Sequence, residues 1–189
     1  MTNAKEKIRK KFLSLRNRLF SLISEAQKDS IIQNLVSLEE FKNANCILAY
    51  FSKDSEVPTL KLIEKLLQEK KIVCLPRTDF ESKLLIPRRI NSFSDLIKNK
   101  FGVYEPKPEC LEVEPSKIDL AIVPGIVFDR NGYRLGYGYG FYDRFLSNKN
   151  FFKIGLAFSF QIIEQLPFEE HDVRLDCIVS EKEIIRLKK

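Results

Sequence analysis

The chain has no tryptophan, one methionine, one histidine (His171) and only 7 glycines in 189 residues. A single histidine excludes a histidine-rich metal centre and leaves no convincing Ser-His-Asp arrangement. The four cysteines, Cys46, Cys74, Cys110 and Cys177, are widely spaced and form no C-x-x-C pair. Three of them lie in apolar runs, the pattern of buried free thiols rather than metal ligands. With no secretory segment ahead of them, the expected compartment is the cytoplasm. No apolar run approaches the roughly 18–20 residues that cross a bilayer, so no membrane association is expected. Internal repeats and low-complexity segments are also missing.

What is present bounds the answer further. A chain that is 44% hydrophobic and 31% charged is long enough for one real core, so a single domain over residues 1–189 is expected. The formal charge of +6 favours an anionic partner, without choosing among nucleic acid, a membrane surface and a small phosphate or carboxylate.

Hydrophobic spacing divides the chain into alternating elements. Ile8, Phe12, Leu15, Leu19 and Leu22 recur at threes and fours with basic residues between them, which predicts an amphipathic first helix. Ser24 and Gln27 form a capping-box start for a second helix through Ile31, Leu35 and Leu38. CILAYF (Cys46 to Phe51) is a doubly buried strand, SKDSEV a turn, and a helix follows from Pro58 or Thr59 to Lys70. KIVCLP is a second strand and KLLIPRRI a third, near an edge because of Pro87. SFSDLIKN reads as a short helix, FGVYEPKPECLEVEPSK as a proline-rich crossing loop, and IDLAIVP as the central strand. KIGLAF and DCIVSEKEIIRL supply two more. This order predicts an α/β sandwich, Rossmann-like, with a largely parallel sheet flanked by helices. Ligands of such sheets bind beyond the carboxyl ends of the strands.

The stretch RNGYRLGYGYGFYDRFL, Arg130 to Leu146, holds four of the 7 glycines and four of the 6 tyrosines. It lies between the central strand and a helix, the context of a loop that offers N–H groups to phosphate. It matches neither G-x-x-x-x-G-K-[ST] nor G-x-G-x-x-G, so a mobile turn remains open beside anion binding. Arg134 offers a forked phosphate donor. Asp143, near the helix start, suits either a cap or magnesium.

The longer run VPGIVFDRNGYRLGYGYGFYDRFL resembles the signature of the 5-formyltetrahydrofolate cyclo-ligase family, also called methenyltetrahydrofolate synthetase. Lys5 and Arg9 fit that family's Lys-x-x-x-Arg. YFSKDSEVPT, LPR, GVYEP and LPFEEHDVRLDCIVSE also fall in family order, so the resemblance spans nearly the whole chain. It departs at Tyr139, where glycine or lysine is common, and at Phe141, where tyrosine is common.

The resemblance implies an ATP-dependent reaction that turns 5-formyltetrahydrofolate into 5,10-methenyltetrahydrofolate, with ADP and phosphate released. The formyl oxygen is phosphorylated and N10 then closes the ring. The ATP site would be the segment Lys5, Glu6, Lys7, Ile8 and Arg9 with Arg134, Leu135, Gly136, Tyr137, Gly138, Tyr139, Gly140, Phe141 and Tyr142. Arg134, Tyr142 and Asp143 would be catalytic, and Asp143 with Asp176 would hold Mg2+. Phe51, Glu56 and the loop from Tyr137 to Phe141 would contact the folate. His171 and Asp172 fit a loop-ordering hydrogen bond better than proton transfer. Arg77, Arg88 and Arg89 suit either a polyglutamate tail or edge-strand solvation. The expected partners are small molecules, with a monomer as the working state. Two readings compete: a nucleotide-binding relative without catalysis, and an RNA-binding protein using the basic helix and the tyrosine loop as a stacking platform.

Overall fold

The computed structural model describes residues 3–187. The chain runs α1 (Asn3–Phe20), α2 (Glu25–Ser37), α3 (Glu39–Asn43), β1 (Cys46–Leu48), α4 (Leu60–Gln68), β2 (Ile72–Asp79) and β3 (Leu84–Ile90). It continues through β4 (Leu96–Lys98), β5 (Tyr104–Pro106), β6 (Leu120–Val123), β7 (Val127–Asp129) and β8 (Arg134–Leu135). The last elements are α5 (Phe141–Leu146), β9 (Phe152–Leu156), β10 (Ile162–Ile163), β11 (Cys177–Val179) and β12 (Ile184–Arg186).

Seven strands form one sheet in the order β12-β11-β9-β6-β1-β2-β3, with β6 at its centre. The inner pairs β11–β9, β9–β6, β6–β1 and β1–β2 are parallel, and only the two edge strands run antiparallel. The largely parallel sheet expected from the strand–helix alternation is therefore present. Period-two alternation sends Ile47, Leu120 and Ile122 to one face, where they meet Ile31, Leu35, Ile63 and Leu66 of α2 and α4. Leu48, Ala121 and Val123 go to the other, against Phe128, Phe145 and Leu146. Each fully buried Leu or Ile contributes roughly 1.5–3 kcal/mol relative to exposure, so both layers hold the sheet. On the edge strand β3, Pro87, opposite Pro76 of β2, has no N–H to donate to a further strand.

Local signals explain most boundaries. Ser24 and Gln27 form the capping box expected of them. Cys46, Cys74 and Cys177 are buried free thiols. Three expectations need correction. Leu22 is 75% exposed because α1 ends at Phe20 and the chain turns before the next turn of helix forms. SFSDLIKN is helical only over one 3-10 turn, Phe93–Asp95, where Asp95 accepts the N–H groups of Asn91 and Ser92; its second half, Leu96–Lys98, is a strand that pairs with Tyr104–Pro106. DCIVSEKEIIRL contains two antiparallel strands rather than one.

Two glycines set how closely the layers approach. A Cβ on Gly125 would lie 2.5 Å from Phe128 Cζ, and one on Gly155 would lie 2.6 Å from Phe128 Cε1. The ring is thus clamped between the loop after β6 and strand β9. Gly155→Ala is expected to cost roughly 1–3 kcal/mol through overpacking. Thermal unfolding checks this, and Phe128→Leu in the same background should make the two changes cost less than their sum.

Candidate active site

At the carboxyl end of β6 the chain passes Pro124 and Gly125 and makes the β7–β8 hairpin, then the glycine loop, then α5. Asp129, wholly buried, shapes this hairpin: its Oδ1 accepts the N–H groups of Asn131 and Tyr133, and its Oδ2 that of Leu166. Helix α1 lies across the hairpin, with Phe12 packed against Ile126, Val127 and Leu135 and with Ile8 and Leu15 beside them. A cleft of about 600 Å³ opens between α1, the glycine loop, strands β2 and β3 at Pro76, Thr78 and Leu85, and the segment holding Glu169 and Asp172.

Four cations line the cleft, Lys5, Arg9, Arg134 and Arg144, and the first three differ in how they are engaged. Arg9 Nε donates to Gly136 O at 2.7 Å, so it pins the first glycine of the loop. Lys5 is 5% exposed, and its ammonium donates to Glu169 Oε2 at 2.9 Å and Asp172 Oδ2 at 2.5 Å. Burial works against that charge, but the two carboxylates outweigh it and hold the Lys5 pKa above its ordinary value. Arg134 is also 5% exposed. It donates from Nη1 to Asp143 Oδ1 at 2.9 Å, while its Nε is buried with no hydrogen-bond partner among the described residues. A buried guanidinium donor without an acceptor is costly unless an anion meets it.

The glycines divide by role. Gly138 and Gly140 have φ of 97° and 69°, which side chains disfavour. A Cβ on Gly136 would meet nothing within 4 Å, so only an approaching ligand would require glycine there. Helix α5 has six residues and no side-chain cap; Asp143 sits within its first turn rather than capping it. Tyr142 is next to it, and burial, with Glu56 second, pushes its phenol well up, which makes it a donor rather than a base. The Arg134 guanidinium lies 5.8 Å from the Tyr142 ring centre.

Tyr139, the unusual residue of the loop, belongs to an aromatic group. Its ring meets Phe80 at 6.2 Å and Phe141 at 6.0 Å, and Phe80 meets Phe101 at 4.7 Å. Arg144 fastens this group: Nη2 donates to Tyr139 O at 2.8 Å and Nε to Lys83 O at 3.0 Å. The hairpin tip is thereby joined to the glycine loop.

Glu56 is 8% exposed and reaches the loop from the other side. Its Oε2 accepts Lys53 N–H at 2.9 Å and its Oε1 accepts the Tyr137 hydroxyl at 3.3 Å. Burial raises its pKa. Phe51 packs in an aromatic group with Tyr104 at 5.0 Å and Phe93 at 6.3 Å, outside the lining of the cleft. Lys53 Nζ donates to Phe101 O at 2.7 Å, which ties the Phe51–Glu56 turn to the crossing loop.

The sequence matches the family described as the 5-formyltetrahydrofolate cyclo-ligase family over residues 1–181. The chain belongs to that family. It is 36% identical over 185 residues to the 5-formyltetrahydrofolate cyclo-ligase of Haemophilus influenzae, covering 95% of this chain and 99% of that one. It is 36% identical over 146 residues to the Escherichia coli K12 protein of the same name, covering 75% and 80%. Among solved structures, the Aquifex aeolicus 5,10-methenyltetrahydrofolate synthetase superposes with a TM-score of 0.84 at 36% identity, covering 98% of this chain and 93% of that one. The Mycoplasma pneumoniae synthetase gives 0.71 at 26% identity, covering 94% and 98%.

The structure brings together some of the family-implied residues and separates others. Lys5, Arg9, Arg134, Leu135, Tyr142, Asp143 and the whole loop Gly136 to Phe141 line the cleft. Glu6 and Lys7 are exposed on the outer face of α1, where Glu6 pairs with Lys10 at 3.0 Å. Ile8 is a packing residue. Asp176 precedes β11, where its Oδ2 accepts Lys153 N–H at 2.9 Å; it does not line the cleft. Asp172 does, and the N–H of the next residue, Val173, donates to Asp143 Oδ1 at 3.2 Å. Asp172 also accepts Glu169 N–H at 2.7 Å, the loop-ordering role expected of it, whereas the His171 side chain is mostly exposed. Arg77 and Arg88 donate to carbonyls of the crossing loop at Pro106, Pro108 and Cys110.

One residue escaped the sequence reading. Arg16 is 1% exposed and donates to Ser55 Oγ at 3.0 Å, Gly125 O at 3.1 Å and the Tyr137 hydroxyl at 2.9 Å. The signal was spacing: Lys5, Arg9, Phe12 and Arg16 fall at helical intervals on one face of α1.

Proposed function

We propose that the protein catalyses the ATP-dependent closure of 5-formyltetrahydrofolate to 5,10-methenyltetrahydrofolate, with release of ADP and phosphate. The observation that carries this reading is Arg134: a buried guanidinium with an unpartnered Nε, in one cleft with Lys5 and Arg9 and beneath a glycine loop. Such a site suits a polyphosphate.

In this reading the formyl oxygen attacks the γ-phosphorus of ATP as the bond to ADP breaks. N10 then adds to the activated formyl carbon, the C–O bond breaks, phosphate departs and the N10 proton leaves to water. Both nucleophiles belong to the substrate, so the protein positions reactants and neutralises charge. Lys5, Arg9 and Arg134 hold the phosphates, and backbone N–H groups of the loop wrap the nucleotide. Tyr142 donates a hydrogen bond in the same cleft. Glu56 accepts the amino and ring N–H donors of the pterin, with Phe51 supplying apolar contact nearby.

Magnesium, when bound, supplies further charge neutralisation to the transferred phosphoryl group. The carboxylates that suit it are Asp143 and Asp172. Asp143 Oδ2 accepts no hydrogen bond among the described residues, and Asp172 directs Oδ2 alone to Lys5 and Glu169. Asp176 is occupied elsewhere. Glu169 and Asp172 already share the Lys5 ammonium, so an ion would sit toward Asp143. Free thiols and the lack of any described helix long and apolar enough to cross a membrane support a cytoplasmic setting.

The test is to mix purified protein with ATP, magnesium and 5-formyltetrahydrofolate and to follow the absorbance of the methenyl product. Product should require all three additions. No product under conditions in which the Escherichia coli relative turns over contradicts the proposal.

A further inference from the structure

Two buried groups, Arg16 and Glu56, and the hydroxyl of Tyr137, a residue 47% exposed, form a chain that crosses from α1 to the turn after β1 by way of the glycine loop. Arg16 is fixed at two points that do not belong to the loop, Ser55 Oγ and Gly125 O. Ser55 is held in turn by Asn17 Oδ1 at 2.5 Å. The remaining nitrogen, Nη2, donates to the Tyr137 hydroxyl at 2.9 Å, and that hydroxyl donates to Glu56 Oε1 at 3.3 Å. Tyr137 is the only member of this chain that the glycine loop contributes. Its hydroxyl has one proton, and that proton is spent on Glu56.

We infer that Tyr137 is a positioning residue that couples the two ligand sites, tethering the glycine loop through Glu56 until the folate takes over that carboxylate. The inference rests on the proposed folate contact of Glu56.

The chemistry follows from acceptor capacity. Glu56 Oε2 accepts the Lys53 N–H at 2.9 Å and Oε1 only the longer bond from Tyr137 at 3.3 Å, so Oε1 is the oxygen more open to new donors. A pterin edge presents an amino group and a ring N–H side by side, a pair that matches both oxygens of one carboxylate. Its arrival competes with the Tyr137 hydroxyl, whose hydrogen bond is the longest in the chain at 3.3 Å. The hydroxyl can still accept from Arg16 but loses its own acceptor. The loop then keeps the Arg9 contact at Gly136 O and loses the inward pull at Tyr137. Gly138 and Gly140, both at positive φ, follow directly and give the freed segment its hinges. A loop released from Glu56 closes over nucleotide phosphates at less cost, so folate raises nucleotide affinity, and by linkage nucleotide raises folate affinity by the same factor.

One hydrogen bond to a charged acceptor sets the ceiling, and the length of this one places the coupling at about fivefold to tenfold. The test is calorimetric titration of the full chain with magnesium and the β,γ-imido analogue of ATP, alone and with saturating 5-formyltetrahydrofolate. In the wild-type protein the folate should tighten analogue binding by that factor. In Tyr137→Phe, which keeps the ring, the analogue alone should bind about as tightly as it binds wild-type protein with folate, and the coupling should fall below twofold. Coupling below twofold in the wild type, or undiminished coupling in Tyr137→Phe, overturns the inference. Hydrogen exchange gives an independent readout: amides at 136–140 should exchange faster when folate alone is added, and unchanged or slower exchange contradicts the tether. Glu56→Gln separates this inference from the reading beneath it. Unchanged folate affinity in that variant removes the folate contact itself; lost affinity beside undiminished coupling in Tyr137→Phe removes only the tether.

Discussion

Arg134→Ala is expected to lower kcat/KM by roughly 10³-fold, the scale seen when a preorganised cation is taken from a phosphoryl-transfer site. Arg134 does two things that no neighbour duplicates: Nη1 holds Asp143 at 2.9 Å, and Nε is a buried donor without a partner among the described residues. Alanine also leaves Asp143 without its cation, so some loss of stability accompanies the loss of rate. Arg134→Lys isolates the catalytic part. It keeps the charge but is a point donor without the planar fork that serves both carboxylate and phosphate, so about 10–100-fold of activity should be lost with most of the stability retained. Steady-state kinetics and thermal unfolding on the two variants check this. Near-wild-type turnover in Arg134→Lys would mean that the orphaned Nε has no part in the reaction.

Asp143→Asn is expected to lower kcat/KM by roughly 10²-fold or more and to raise the magnesium concentration needed for half-maximal rate. The amide oxygen can still accept from Arg134 and from Val173, the two side-chain hydrogen bonds Asp143 makes among the described residues. Stability should therefore change little, which distinguishes a ligand role from a structural one. Asp176→Ala, which removes the acceptor altogether, supplies the contrast. Asp176 serves the start of β9 through Lys153, so its replacement should lower the unfolding temperature and leave the magnesium dependence as in the wild type. The reverse pattern in the two variants would return the metal to Asp176.

Much of the sheet was legible because its strands are buried on both faces and read as short apolar runs; IDLAIVP does become the centre of the sheet. What was hidden depends on contacts distant in sequence. The β7–β8 hairpin lies inside a stretch whose glycines and tyrosines suggest only a loop, and Asp129, which builds it, looks in sequence like any acidic turn residue. SFSDLIKN has the spacing of a helix, yet its strand forms because a partner, Tyr104–Pro106, returns beside it. Lys5 and Arg9 were found through a motif, whereas Arg16, on the same helix face, belongs to none of the motifs used. Asp172 and Asp176 are four residues apart near one end of the chain, and only the fold separates a residue that lines the cleft from one serving β9. Tyr139 departs from the family pattern in the loop; in the fold the residue is 60% exposed and its ring meets Phe80 and Phe141, a contact no local pattern announces.

The most direct measurement follows the formyl oxygen. 5-Formyltetrahydrofolate carrying a heavy oxygen isotope in its formyl group is turned over with unlabelled ATP in unlabelled water, and the released phosphate is examined by mass spectrometry. If the cleft activates that oxygen by phosphoryl transfer, one labelled oxygen appears in each phosphate formed. Unlabelled phosphate released alongside the methenyl product would contradict it, because ATP would then be hydrolysed by water and the formyl oxygen lost by another route.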